Sequence, residues 1–237
     1  MDRTGPLPLW LTALSWIALT LGLVSALVIL VDIWSGRRQR MAVMSVVWPI
    51  TGLYLGPLAV WAYVRWARAP RPGVRAPRPD KRGADATAER PLWQSSFIGV
   101  THCGAGCVLG DTIGEIVVFL LALRLLGSHL ATVYIVDFSL AFLLGIVFQY
   151  FAVAPMRGLS LGEGIVAALK ADTLSLMAFE VGMFAWMALT TEVIFRPRLE
   201  PTQPEFWFMM QVAMVLGVVS SYPANYWLIK RGVKERM

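Results

Sequence analysis

The sequence predicts an all-α integral membrane protein, a bundle of about six transmembrane helices, and three observations carry that prediction. Of the 237 residues 57% are hydrophobic and only 15% charged, and the mean hydropathy is +0.62, values foreign to a soluble domain. Six stretches reach the roughly 20 apolar residues that a bilayer crossing needs. They run from Leu7 to Ile33, Met41 to Trp66, Ile98 to Leu126, Leu130 to Val153, Asp172 to Phe195 and Phe206 to Ile229. Third, most of the 21 Lys and Arg fall in alternate loops, as the positive-inside rule requires.

With the N-terminus inside, Arg3, the basic run from Arg65 to Arg90, Arg157, Lys170 and the residues from Lys230 to Arg236 share the inner side. Both termini are therefore expected in the cytoplasm, in a cell (inner) membrane. Arg37, Arg38 and Arg40 in the first outer loop break the pattern. The net charge of +6 follows from this bias, with anionic lipid headgroups as its partner. Nucleic-acid binding is not needed to explain it.

The first apolar run is too long for a cleavable signal peptide and no small-residue cleavage site follows it, so it is expected to remain as a helix. The second carries Pro49 and Pro57 around Thr51, Gly52, Tyr54 and Gly56. Proline removes a backbone donor and kinks a helix. This predicts a bent helix leaning on the rest of the bundle, or a broken one that lends carbonyls to a pathway. With no ionisable residue deep in either helix, residues 1–66 read as a scaffold hairpin.

Residues 67–91, rich in Arg, Pro, Ala and Gly without periodicity, read as a disordered basic cytoplasmic linker. Residues 92–237 then form a four-helix transmembrane unit that carries the polar residues. Ser160 and Glu163 make a capping box. An unbroken helix from there to Phe195 would measure about 54 Å, so a short interfacial helix from Leu161 to about Lys170 is expected before the fifth span. Asp111-Thr112 and Asp172-Thr173 hint at a parallel repeat. Near the C-terminus, Pro223 and Asn225 suggest a kink in which the amide bonds freed carbonyls, with Trp227 and Lys230 at the inner interface. His129 reads as an outer-interface residue.

The chemistry concentrates in the third helix. Cys103, Cys107, Asp111 and Glu115 recur every four residues and so form a ladder on one face, with His102 beside it. Ionisable groups inside a membrane are costly and mark sites by default. Thiolates with an imidazole suit copper or zinc, whereas carboxylates suit harder ions or carry protons. The ladder is about 18 Å long, too long for one ion, and so divides in two. His102, Cys103 and Cys107 are the candidate metal ligands; Asp111 and Glu115, with Asp137 and Glu180 from neighbouring helices, are a candidate proton relay or second site. Met183, Met187, Met209, Met210 and Met214 could add soft thioethers, although methionines usually serve as core filler.

A packing interpretation competes with the site. Gly106, Gly110 and Gly114 form a double G-x-x-x-G seam, which lets membrane helices approach closely, and the cysteines are small enough to belong to it. The two cysteines, four residues apart on a helix, are poorly placed to bridge each other and read as free thiols.

At these residues the chain resembles a family of bacterial multi-pass membrane proteins known as domain of unknown function 4396. The resemblance rests on Trp48-Pro49, Leu53-Tyr54-Leu55-Gly56-Pro57, T-H-C-G-A-G-C from Thr101 to Cys107, G-D-T-I-G-E from Gly110 to Glu115, and F-W-F-M-M-Q from Phe206 to Gln211 running into S-Y-P-A-N. It covers roughly Met41 to the C-terminus and implies no activity. Three functions remain in competition: a protein that binds or moves a soft transition-metal ion with proton-coupled carboxylates, a membrane thiol or redox enzyme using Cys103 and Cys107, and a non-catalytic subunit whose glycine seam packs on a homo- or hetero-oligomeric partner. No P-loop, nucleophile elbow or H-E-x-x-H pattern occurs, which favours a non-enzymatic role, and two unlike histidines disfavour a b-type haem.

Overall fold

A computed structural model describes residues 7–37, 39, 41–69, 90–125, 127–195 and 198–236. Among these there are helices and no strands. The helices are α1 (Leu9–Trp34), α2 (Met44–Leu55), α3 (Pro57–Ala62), α4 (Leu92–Leu120), α5 (His129–Arg157), α6 (Leu161–Ala188) and α7 (Pro204–Lys230). Wide π turns extend α3 over Tyr63–Ala67 and α6 over Leu189–Ile194. Five of the helices are long and apolar enough to cross a membrane: α1, α4, α5, α6 and α7. Most of the expected linker lies outside the described residues.

The second predicted span does not cross. At Gly56 the backbone turns to φ 54°, ψ −132°, a conformation glycine adopts without penalty, and α3 runs back beside α2. Trp48 near the start of α2 packs edge-on against Tyr63 beyond the end of α3, with ring centroids 5.8 Å apart. Asp32, at the end of α1, accepts from the Tyr63 hydroxyl at 2.9 Å and from Arg68 Nη2 at 2.6 Å. The chain therefore returns to the end of the bundle from which α2 set out. Each arm, at about 18 Å or less, is shorter than the roughly 30 Å hydrocarbon core. Hydropathy counted the length of this segment but carries no information on its direction.

The tip of this re-entrant hairpin carries a backbone defect that the bundle repairs. Pro57 has no N–H to give to the Leu53 carbonyl, four residues earlier. Gln211 of α7 donates its Nε2 to that oxygen at 2.6 Å. A Cβ on Gly22 of α1 would lie 2.2 Å from the same carbonyl, so glycine is what allows α1, the hairpin tip and α7 to meet there. The carbonyl freed by the break is thus occupied rather than offered to a pathway.

The five long helices alternate in direction. Thr12 near the start of α1 bonds Glu205 at the start of α7, whereas Trp66 packs on Trp93 and Phe97 at the start of α4. We call the end holding Asp32, Trp66 and the C-terminus of α7 the basal end, and the opposite one the distal end. The start of α1 and the end of α7 lie at opposite ends of the bundle, as five crossings require and six would not.

The most extensive interface pairs α4 with α5. A Cβ on Gly106 would lie 2.6 Å from Gly145 Cα, one on Gly110 would lie 2.3 Å from Ala141 N, and one on Gly114 would lie 2.1 Å from Asp137 Oδ1. The glycine seam is therefore filled by α5 of the same chain, not presented to another protein. Helix α6 also departs from expectation: it runs without a break through Lys170, started by the Ser160–Glu163 capping box. Ala168 and Ala171 are buried and Gly164 sits against the Tyr150 ring, so packing on α5 holds this first part in the bundle instead of releasing it to the interface.

Candidate functional site

The polar residues of the four-helix unit form a thread along the bundle interior. It starts in a pocket of about 530 Å³ at the distal end, lined by Arg124, His129, Tyr134, Thr191, Arg198 and Glu200, with Glu115 in its wall. Arg198 pairs with Glu192 at 2.9 Å and approaches His129 Nδ1 at 2.9 Å, so His129 belongs to this polar mouth. Tyr134 donates its hydroxyl to the Phe184 carbonyl at 2.8 Å.

One turn deeper, three helices each contribute an acid. Asp111 comes from α4, Asp137 from α5 and Glu180 from α6, and all three are buried. The charges of Glu180, Asp137 and Glu115 all act on Asp111, and those of Glu115 and Glu180 act on Asp137. The bundle brings together the four acids that the sequence grouped as a candidate relay. Both oxygens of Asp111, both of Glu180 and Oδ1 of Asp137 have no hydrogen-bond partner among the described residues. A buried carboxyl without a partner carries a desolvation cost of several kcal/mol if charged.

Next along the thread come the thiols. Cys103 and Cys107 are free and fully buried, with Cys107 beside both Cys103 and Glu180. The tip of the re-entrant hairpin reaches them: the Tyr54 hydroxyl lies close to Gly104 and to both thiols. That hydroxyl, too, has no partner among the described residues. Ser175 of α6 bridges onward, its Oγ 3.7 Å from Cys103 Sγ.

His102 stands apart from the thiols. One residue before Cys103 it is turned toward α5, beside Phe148, and both ring nitrogens lack partners. Among the described residues no three His, Cys, Asp or Glu are grouped so that they could hold a metal ion. Of the expected ligand set, Cys103 and Cys107 share a face of α4 while His102 leaves it, because successive helical residues point 100° apart. Met183, Met209, Met210 and Met214 pack in the apolar core.

At the basal end the thread closes on a pair that spacing could not reveal. Lys234, beyond α7, turns back after Gly232 (φ 72°) and places its Nζ 2.7 Å from Asp172 Oδ1, with both side chains fully buried. Asn225 Oδ1 accepts from the same ammonium at 2.7 Å. The Asn225 amide bonds the Ser221 carbonyl at 3.1 Å and the Ser221 hydroxyl at 2.9 Å; it does not serve the carbonyl that Pro223 frees. Asp172 lies much nearer the start of its helix than Asp111 does, so the two Asp-Thr pairs do not occupy equivalent places. An intramembrane acid without an obvious base was the one signal that could have directed attention to Lys234.

A family model described as Domain of unknown function (DUF4396) matches residues 92–234, from α4 through the Lys234 tail. No curated protein and no solved structure matches the chain.

Proposed function

The chain belongs to that family of unknown function, and from the geometry of its interior we propose that it is a multi-pass membrane protein that passes protons along the thread from Glu115 through Asp111, Asp137 and Glu180 to the basal end. The observation that carries this reading is the meeting of three acids from three helices with five of their six carboxyl oxygens unpartnered among the described residues. Several like charges at one level of a low-dielectric bundle cannot coexist in full, so such a group holds protons and exchanges them as a unit. Glu115, in the wall of the distal pocket, is the natural entrance.

The arrangement of basic residues supports an orientation with the basal end in the cytoplasm and the start of α1 outside. Arg37, Arg65, Arg68, Arg90, Arg157, Lys230 and Arg231 border the basal end, whereas Arg124 and Arg198 stand at the distal one. The re-entrant hairpin brings Arg37 to the same side as Arg65 and removes the exception that six crossings had left. The lipid bilayer is the partner that this surface implies.

A soft-metal function and a thiol redox function draw less support. His102 turns away from the two cysteines, and both thiols are enclosed on all sides. The deciding experiment is proton uptake by vesicles containing the purified protein and an internal pH dye, driven by a potassium diffusion potential. Wild-type protein should acidify the lumen, and Asp111→Asn and Glu180→Gln should each slow it severalfold. Flux equal to that of protein-free vesicles, or variants equal to wild type, overturns the reading.

A further inference from the structure

The environment of Lys234 is a cage of oxygens. Its Nζ faces Asp172 Oδ1 at 2.7 Å, Asn225 Oδ1 at 2.7 Å, Ser175 Oγ at 3.4 Å and the Gly99 carbonyl at 3.5 Å. These four groups come from α4, α6 and α7, and none of them needs the tail for its position. The Ser175 hydroxyl donates to Asp172 Oδ1 at 2.9 Å, the Ser221 hydroxyl donates to the Ser175 carbonyl at 2.7 Å, and the Asn225 amide is held by Ser221 with its oxygen toward the cage. A Cβ on Gly99 would lie 3.4 Å from Asn225 Oδ1 and 3.8 Å from Lys234 Cε, so the wall fits the aliphatic stem closely. The second oxygen of Asp172 remains unpartnered among the described residues.

A buried charge is stable only when paired and hydrogen-bonded, and here the helices supply one carboxylate and several acceptors while, among the described residues, the tail supplies the cation in contact. The tail is also anchored through Glu235, which pairs with Arg157 on α5. Beside it, a groove of about 640 Å³ runs past Val233 along α6, between Arg157 and Lys170. We propose that the cage of Gly99, Asp172, Ser175 and Asn225 is a binding site for ammonium-type cations, ammonium or a primary alkylammonium, and that Lys234 is its tethered occupant. The 2.7 Å separations to Asp172 Oδ1 and Asn225 Oδ1 are N–H···O hydrogen-bond lengths, which fit an ammonium nitrogen, and the sodium arm below tests a spherical ion in the same oxygens. The groove beside Val233 is where a free cation enters once the tail lifts.

The test is chemical rescue. The Lys234→Ala protein in detergent should melt below wild type, and methylammonium chloride should restore at least half of the lost Tm. Tetramethylammonium and sodium chloride at equal ionic strength should not, and the Lys234→Ala, Asp172→Asn double variant should respond to none of them. Equal rescue by sodium or tetramethylammonium overturns the ammonium assignment, and no rescue by methylammonium overturns the site. Should Lys234→Ala fail to fold, the wild-type protein decides: methylammonium should speed trypsin cleavage after Lys234 severalfold over tetramethylammonium, and an unchanged rate refutes the proposal. Neither readout depends on proton flux, so this proposal and the proton thread fail separately.

Discussion

Replacing Gly110 by Ala tests whether the seam between α4 and α5 is what brings the acids together. The added Cβ would lie 2.3 Å from Ala141 N, 2.4 Å from Ala141 Cα and 2.7 Å from the Leu140 carbonyl carbon. All three are backbone atoms, so no side chain can turn aside. Ordinary contact lies about 1 Å further out, and the helices must part by an amount of that order. Overpacking of this kind costs about 1–3 kcal/mol, against a gain of roughly 0.5–1 kcal/mol from the better helix former. For a chain of this length each net kcal/mol lowers Tm by about 2–4 °C. Gly162 of α6 is the control, since a Cβ there meets nothing within 4 Å. A thiol-reactive dye is the natural assay, because both cysteines are buried and free in the folded protein. Gly110→Ala should melt several degrees below Gly162→Ala and lose proton flux with it, since Asp137 lies one turn from Ala141. A Gly110→Ala protein as stable as Gly162→Ala would show that the seam does not determine the spacing of these helices.

Three further outcomes follow from single contacts. Gln211→Leu strands the Leu53 carbonyl and should lower stability by about 1–2 kcal/mol, read in the same melting assay; an unchanged Tm would mean that water or another donor serves that oxygen. Maleimide should label neither Cys103 nor Cys107 in native membranes and both after denaturation, and rapid labelling of the native protein would revive the thiol enzyme. Metal analysis of wild-type protein and of the Cys103→Ser, Cys107→Ser variant should give the same trace copper and zinc, whereas a stoichiometric ion lost in the variant would restore the ligand assignment.

Hydropathy identified the five helices long and apolar enough to cross, and four-residue spacing singled out the thiols and acids of α4, all of them buried. Both are properties of one segment at a time. What escaped was relational. Met41 to Trp66 has the length of a span, but Gly56 followed by Pro57 reverses it. The seam was legible in Gly106, Gly110 and Gly114, yet its partners Gly145, Ala141 and Asp137 became apparent only when α5 lay alongside. His102 and Cys103 share a motif and part company by one helical step. Lys234 counted as one more positive charge at a cytoplasmic end, and nothing local distinguished it from Lys230.

The bond from Gln211 to Leu53 spans 158 residues, and this separation orders the life of the chain before it is ever functional. A ribosome delivers the re-entrant hairpin long before it delivers α7, so the hairpin waits at the membrane with an unsatisfied carbonyl at its tip. It is last to settle although it is among the first to be made. Any nascent or truncated product that ends before Gln211 therefore lacks the donor that serves the Leu53 carbonyl.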